Sequence, residues 1–220
     1  MAVSNTADLF NQLFNTFTTL AIIVGVVVLG IMALLVVRFR AKASSPEPED
    51  APQLGRIPQA RGHLKTVIVS LILSSIVLGV LIFGTLSATN QITTIPAECA
   101  QVPSPCVTIR VTASRFKWDF TYGNGQTLTG NLTIPTERIV ILEIESDDVF
   151  HTFGIEGFRI KKDAIPGLVN KIWFVANEQG FDLNGIRCFE LCGVGHAGMT
   201  ADLNSVGQSN FQGFCSSSGC

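Results

Sequence analysis

The sequence predicts a membrane protein with two parts, an N-terminal hairpin of two transmembrane helices and a C-terminal all-β sandwich or small barrel. The first observation is composition, since 47% of the 220 residues are hydrophobic and only 15% are charged, which is too apolar for an ordinary soluble domain. The second is that the apolar excess is concentrated in two early runs. The third is that short β-like segments, punctuated by Gly and Pro, fill the remaining chain without a long amphipathic helix.

Two uncharged apolar runs, residues 20–37 and residues 67–86, are the predicted spans. At about 1.5 Å per helical residue, each run covers roughly the 30 Å of a bilayer core. A pair of buried core helices is the alternative, but uncharged runs of this length are typical of membrane spans. We therefore assign residues 1–87 to a transmembrane hairpin with a connecting loop over 38–65, and residues 88–220 to an external domain.

The distribution of basic residues predicts the orientation of the hairpin. The segment before the first span carries no Lys or Arg, whereas the connecting loop carries Arg38, Arg40, Lys42, Arg56, Arg61 and Lys65. By the positive-inside rule this loop is cytoplasmic, and both termini and the external domain lie outside. Because no basic segment precedes the first run, we do not expect a typical cleaved signal sequence. The expected location is the plasma membrane of a prokaryote.

Alternation of apolar and polar residues predicts several strands in the external domain. Residues 108–122 alternate with a phase slip near Ser114, where we expect a β-bulge, and Gly123-Asn124-Gly125 then predicts a turn. Residues 138–146 place apolar side chains on one face and glutamates on the other. Shorter strand candidates are residues 171–176 and 185–188.

Metal-binding side chains are concentrated in one segment, CFELCGVGHAGM over residues 188–199. The segment holds two thiols, an imidazole and a thioether, and His151 lies upstream in a chain with only three His. Such a ligand set is the one that copper prefers. A mononuclear blue-copper site needs one Cys, so the second Cys indicates a binuclear copper centre for electron transfer, with two bridging thiolates. Glu190, between the two thiols, is placed to supply a backbone carbonyl.

Other interpretations of the cysteines stay open from the residues alone. A structural zinc site would use Cys and His, although Met is a poor zinc ligand and the spacing of zinc knuckles is different. A Cys188–Cys192 disulfide would suit an oxidising compartment, but it would leave the histidines and Met199 without a role. The other four cysteines could pair locally or bridge the two ends of the domain: Cys99, Cys106, Cys215 and Cys220.

Three motifs resemble those of one family, subunit 2 of the heme-copper terminal oxidases. The pattern C-x-E-x-C-G-x-x-H-x-x-M fits at Cys188, Glu190, Cys192, Gly193, His196 and Met199. Residues 146–153 (SDDVFHTF) resemble the family's upstream histidine segment, and residues 163–170 (DAIPGLVN) resemble its D-A-I-P-G-x-x-N segment. The resemblance extends over nearly the whole chain and implies a cupredoxin-like external domain.

The resemblance implies an electron-accepting subunit of cytochrome c oxidase that bears the copper A centre. Electrons would come from cytochrome c or a copper-protein donor and go to heme in subunit 1, which reduces O2 to water and, with other subunits, translocates protons. One copper would be held by His151, Cys188, Cys192 and Met199, and the other by Cys188, Cys192, His196 and the Glu190 carbonyl. The Glu190 carboxylate would bind magnesium shared with subunit 1. Another membrane reductase, such as one for nitric oxide, is the alternative.

Residues near the copper ligands predict where the donor docks. The family usually has a W-x-W aromatic cluster, and here Phe116 holds the place of the first Trp while Trp118 holds the second. Asp147 and Asp148 precede His151, so we expect an acidic docking patch at the copper end. The external domain has nine basic and thirteen acidic residues, a net charge of −4 that favours a basic protein donor and predicts no nucleic-acid partner.

Overall fold

The computed structural model describes residues 4–40, 63–101 and 104–218. Two long apolar helices come first, α1 (Asn5–Phe39) and α2 (Leu64–Thr93). They contain the predicted spans, and both are long and apolar enough to cross a membrane. Many of their apolar side chains are exposed, as expected of residues that face lipid. Most of the predicted cytoplasmic loop lies outside the described residues, so the loop stays a prediction.

Helix α1 begins well before the predicted span because Ser4 caps it and its first turn packs on the β domain. Ser4 Oγ accepts the backbone N–H three residues along at 3.1 Å, the usual bond of an N-cap serine. The Thr6 hydroxyl donates to the Phe158 carbonyl at 2.7 Å. The Val175 backbone N–H donates to Asn5 Oδ1 at 2.8 Å. The first turn of α1 is therefore tied to the sandwich by hydrogen bonds that sequence analysis did not foresee.

The described residues fall into two compact units. One unit contains the described residues up to Gln12 together with those from Ser87 onward, and the other contains those between Leu13 and Leu86. The second unit holds the helical regions that we expect in the membrane, and the first holds all of the β structure.

A local disulfide follows helix α2. Cys99, in a 3₁₀ turn over Ala97–Ala100, is bonded to Cys106 just before the first strand. Of the two arrangements that the sequence left open, Cys99 and Cys106 therefore form a local pair. Cys215 is disulfide-bonded as well, and Cys220 lies outside the described residues.

The β domain is a sandwich of two five-stranded sheets. Its strands are β1 (Val107–Ser114), β2 (Lys117–Thr121), β3 (Thr127–Thr129), β4 (Asn131–Pro135), β5 (Ile139–Ser146), β6 (His151–Ile155), β7 (Ile160–Ala164), β8 (Asn170–Val175), β9 (Gly180–Cys188) and β10 (Thr200–Val206). The first sheet has the order β3-β2-β1-β5-β8 and the second has the order β4-β10-β9-β6-β7. A C-terminal helix, α3 (Gln208–Ser218), follows β10. The predicted two-part architecture with a β-sandwich is confirmed.

The core lies between the two sheets and is built from the inward side chains of both. Its largest fully buried members are aromatic: Trp118, Phe120, Phe153 and Phe174. Trp118 and Phe153 pack edge to face with ring centres 5.2 Å apart, an arrangement that aromatic pairs prefer. These contacts join β2 of one sheet to β6 of the other, and β6 is the strand that begins with His151.

The predicted bulge at Ser114 is wrong, because the chain turns there. β1 ends at Ser114 and β2 begins at Lys117, and these two residues pair across a tight hairpin. The phase slip in the hydrophobic pattern comes from the turn, after which the alternation resumes toward the same core. The predicted turn over Gly123-Asn124-Gly125 is confirmed, since the Gly125 N–H donates to the Tyr122 carbonyl at 2.9 Å and Gly125 has a φ of +88°.

The other strand predictions succeed where one face of a strand is at least partly exposed. Residues 138–146 and 171–176 correspond closely to β5 and β8, and residues 185–188 are the end of the longer β9. Alternation does not predict β6, because every residue of that strand is buried and no polar face marks it. The alternation of apolar and polar residues therefore does not predict the strand that carries His151.

Candidate metal centre

The candidate ligands converge at one end of the second sheet. His151 is the first residue of β6 and Cys188 is the last residue of β9, and these strands are antiparallel neighbours with Phe153 opposite Cys188. Antiparallel pairing places the start of one strand beside the end of the other. The segment between Cys188 and Thr200 then forms a loop at this end, which we call the cysteine loop (residues 189–199).

Each of the two sulfur atoms has a histidine beside it. Cys188 Sγ lies 3.8 Å from His151 Nδ1, and Cys192 Sγ lies 3.8 Å from His196 Nδ1. The two sulfurs are 3.9 Å apart. Both cysteines are free and buried, so the site is not in the disulfide form that the sequence left open. The ligand atoms of His151, Cys188 and Cys192 all lie within 4.8 Å of one another.

Two weaker donor atoms lie against the sulfurs. Met199 Sδ is 3.8 Å from Cys192 Sγ, and the Met199 side chain is fully buried. The Glu190 carbonyl oxygen is 3.2 Å from Cys188 Sγ. Glu190 is exposed, so its carbonyl and its carboxylate can serve different partners. The structure thus brings together every residue that the sequence proposed as a copper ligand.

Asp148 orients the His151 imidazole, a role that the sequence analysis did not assign. Asp148 Oδ1 lies 2.8 Å from His151 Nε2, and Oδ2 accepts the Arg115 backbone N–H at 2.9 Å. Burial raises the pKa of Asp148, but hydrogen bonds from His151, Arg115 and Val149 outweigh it and hold the pKa well below its usual value. The ionised carboxylate accepts the Nε2 proton, which leaves the Nδ1 lone pair directed at the sulfurs.

The donor set fits a soft metal ion. An ion at about 2.3 Å from each sulfur would contact both, since the sulfurs are 3.9 Å apart. Burial raises the pKa of the Cys192 thiol and the nearby Cys188 raises it further, so the Cys192 thiolate forms readily only with a cation beside it. Thiolate, imidazole and thioether together favour copper, whereas a zinc site gives no reason for the buried Met199 sulfur beside Cys192.

Phe116, at the place of the family's first Trp, packs directly on the cysteine loop. A Cβ on Gly195 would lie 2.6 Å from Phe116 Cγ, so the ring fills the space that a side chain there would need. A Cβ on Gly193, where φ is +136°, would lie 3.1 Å from Phe116 Cζ. Trp118 is fully buried, with its ring centre 6.1 Å from that of His151. Both aromatic residues are therefore close to the candidate ligands, Phe116 on the loop and Trp118 in the core.

Asp147 and Asp148 both lie at the surface, but their carboxylates differ in their partners. Asp148 faces His151 and also the Arg115 guanidinium, whose Nε is 3.4 Å from Oδ2, so its charge is largely balanced. Asp147 is exposed, and its carboxylate has no hydrogen-bond or ion-pair partner among the described residues. The expected contribution of acidic side chains to docking therefore concerns Asp147 far more than Asp148.

The fold and the site define a class of protein, a β-sandwich attached to two membrane-type helices, with a buried His/Cys/Cys cluster that could hold a metal ion. Residues 108–206 match the family described as cytochrome c oxidase subunit II, periplasmic domain. These residues belong to that domain family, and relatives of the chain are subunit 2 of heme-copper and cytochrome c oxidases. The predicted family and the cupredoxin-like fold class are thereby confirmed, and the nitric oxide reductase alternative is not favoured because the relatives are oxidase subunits.

Individual relatives cover the chain to different extents. The heme-copper oxidase subunit 2 of Aeropyrum pernix is 26% identical over 96% of this chain and 90% of its own length. The cytochrome c oxidase subunit 2 of Alkalihalophilus pseudofirmus is 31% identical over 82% of this chain, which spans 50% of that relative. The periplasmic domain of subunit II from Bradyrhizobium japonicum cytochrome oxidase aligns with a TM-score of 0.48 at 24% identity, over 51% of this chain and 93% of that one.

Proposed function

We propose that this chain is the electron-accepting subunit of a cytochrome c oxidase and holds a binuclear copper A centre. The observation that carries the proposal is the pair of free, buried sulfurs 3.9 Å apart, each with a histidine Nδ1 at 3.8 Å. The chain takes electrons from an external donor, cytochrome c or a copper protein, and delivers them to heme in subunit 1. Reduction of O2 to water, coupled to proton translocation, takes place in that partner.

The resemblance to the family assigns the ligands to two coppers. His151 and Met199 would serve one ion, His196 and the Glu190 carbonyl would serve the other, and both cysteine sulfurs would bridge the pair. Bound copper in this form supplies a one-electron carrier that changes its geometry little between redox states. The protein's own contribution is to hold the donor atoms in place.

Hydrogen bonds and burial hold these donor atoms in place. Asp148 fixes the ring of His151 through the 2.8 Å contact with Nε2. The Cys188 backbone N–H donates to the Met199 carbonyl at 3.1 Å, which ties the end of β9 to the end of the cysteine loop. The Met199 side chain is fully buried, so it also keeps water from the sulfurs. Ligands that are held rigidly and shielded from water favour fast electron transfer, because few atoms must move when the metal changes its oxidation state.

Metal analysis of the full-length chain tests the proposal. The chain, purified in detergent and loaded with copper, should bind two coppers and be purple when oxidised, because two thiolates bridge the ions. Its EPR spectrum should show one unpaired electron shared over two copper nuclei. A single-copper spectrum, or tight zinc binding that excludes copper, would contradict the binuclear assignment.

The exposed carboxylate of Glu190 supports a second metal role, at the contact with subunit 1. We propose that it ligates a magnesium ion shared with that subunit, since carboxylate oxygens suit magnesium. In the assembled oxidase, Glu190→Gln should lower the bound magnesium measured by elemental analysis. The copper A spectrum should persist, because the Glu190 backbone carbonyl is unchanged.

We propose that the donor docks at Phe116, which packs on the cysteine loop, and at Asp147, four residues before His151, with the buried Trp118 between the docking surface and the core. Asp147→Lys should slow reduction by a basic donor roughly two- to fourfold at low salt, the size expected for reversing one exposed charge at about 10 Å. Stopped-flow rates measured against ionic strength check this. The matched control is Glu156→Lys, since Glu156 follows the opposite end of β6 from His151. Wild-type rates in both variants, at all salt concentrations, would show that docking is apolar, whereas equal slowing of both would show a general charge effect.

We propose that both termini and the sandwich lie outside a prokaryotic plasma membrane and the connecting loop lies inside. Besides the basic residues of the loop, the hydrogen bonds of Asn5 and Thr6 to the sandwich support this, since they place the start of α1 on the sandwich's side. A protease-cleavable tag at either terminus should be cut in right-side-out cells. A tag inserted within residues 41–62 should be cut only after lysis, and the reverse pattern would contradict the topology.

A further inference from the structure

Phe189 lies between two candidate ligands, Cys188 and Glu190, yet its ring packs on strands β6 and β7. A Cβ on Gly154 would lie 2.6 Å from Phe189 Cδ2, so the ring edge occupies a notch that exists because residue 154 is glycine. Gly154 is paired with Lys161 across the two strands. The Lys161 ammonium lies 3.8 Å from the centre of the Phe189 ring, a cation–π contact. The Phe189 ring is therefore held by two contacts, one with the backbone at Gly154 and one with the Lys161 ammonium.

The same residue is also held through its backbone. The Phe189 N–H donates to the Thr152 carbonyl at 2.8 Å, and Thr152 directly follows His151. The start of the cysteine loop is thus fixed at two points to the strands that carry the first histidine. Phe189 has 36% of its surface exposed, so tight enclosure in the core is not what holds it.

We propose that Phe189 is a positioning residue of the metal centre, which sets where the Glu190 carbonyl lies relative to the Cys188 sulfur. These two atoms are 3.2 Å apart, and a single residue separates Cys188 from Glu190. The inference rests on the proposed function, in which that carbonyl is a weak ligand to one copper. A weak ligand changes the spectrum and potential of a copper site more than it changes metal retention.

A metal-free measurement separates this role from the copper chemistry. In the full-length chain without metal, the rate at which iodoacetamide alkylates Cys188 and Cys192 reports how often the loop opens. Phe189→Ala and Gly154→Ala should each raise this rate about two- to fivefold, the factor that matches the strength of an exposed cation–π contact. Lys161→Met should act in the same direction. Phe189→Tyr keeps the aromatic ring, so its alkylation rate should equal that of the wild type.

Matched controls come from neighbouring residues without this contact. Leu191 is 77% exposed on the same loop, so Leu191→Ala should leave the alkylation rate unchanged. Lys162→Met removes the same charge as Lys161→Met from the adjacent position of β7. If Lys162→Met matched Lys161→Met, a general charge effect would replace the ring contact as the explanation, and the positioning role of Lys161 would be wrong.

The copper-loaded chain gives the second measurement. Phe189→Ala and Gly154→Ala should keep two coppers while shifting the EPR hyperfine splitting and the reduction potential, and Phe189→Tyr should match wild type. Wild-type spectra and wild-type alkylation rates in both variants would overturn the proposal. If Phe189→Ala fails to fold, Gly154→Ala and Lys161→Met decide the outcome. If wild-type protein binds only one copper, the proposed function fails, whereas the alkylation rates still test the loop contact.

Discussion

Replacing Cys192 with Ser should abolish the EPR signal of an electron shared between two coppers in the full-length chain. Cys192 Sγ is within 3.9 Å of Cys188 Sγ, and it is 3.8 Å from both His196 Nδ1 and Met199 Sδ. A serine oxygen is a hard donor that does not replace a bridging thiolate for a soft ion. Elemental analysis should show that bound copper falls from two ions per chain to one or fewer.

Two variants serve as controls for the loss of Cys192. Met199→Leu should keep both coppers but shift the reduction potential, because a thioether tunes the centre rather than bridging it. The double variant Cys99→Ser with Cys106→Ser removes two cysteines that form a disulfide near the start of β1, and it should leave the copper signal unchanged. A copper signal that survives Cys192→Ser would show that the bridging role is wrong.

Replacing Asp148 with Ala should weaken copper binding about 10- to 100-fold, the usual cost of removing a carboxylate that orients a ligating histidine. Asp148 accepts from His151 at 2.8 Å and from the backbone N–H groups of Arg115 and Val149 at 2.9 and 2.6 Å. Loss of these bonds leaves the imidazole without its orienting partner. Competition with a copper chelator measures the affinity, and the EPR spectrum reports any change in geometry.

Asp147→Ala is the matched control, since it removes the same charge from the preceding residue, which is exposed. It should leave copper affinity at the wild-type value. Asp148→Asn should fall between wild type and Asp148→Ala, because an amide oxygen still accepts the Nε2 proton but carries no charge. Equal copper affinities for the Asp147 and Asp148 alanine variants would mean that the His151 contact does not orient the ligand.

Several elements of this chain are predictable because their signal is local. An uncharged run of apolar residues indicates a membrane span wherever it lies in the fold, and residues 20–37 and 67–86 fall inside α1 and α2. The alternation in residues 138–146 similarly predicts β5, since one face of that strand is only partly buried. Strand β6 is not predicted, because both of its faces are buried and its sequence shows no alternation of apolar and polar residues.

Within the candidate site, some residue roles can likewise be predicted from the sequence and others cannot. The motif over residues 188–199 carries its chemistry in the sequence, because the preference of sulfur and imidazole for copper does not depend on the fold. The D-x-x-H spacing of Asp148 and His151 is a signal that could have suggested their hydrogen bond. Sequence analysis instead placed Asp148 in a docking patch, since the position of its carboxylate depends on how β1 and β5 end.

The sequence by itself determined the membrane hairpin, the soft-metal donor set and the family to which the chain belongs. Tertiary structure decided that Asp148 orients His151, that Phe116 and Phe189 each fill the space beside a glycine, and that the first turn of α1 binds the sandwich. The physical reason is that hydropathy and ligand chemistry belong to individual residues. A hydrogen bond or ring contact depends on which strands pair and in what register, so distant parts of the chain determine it together.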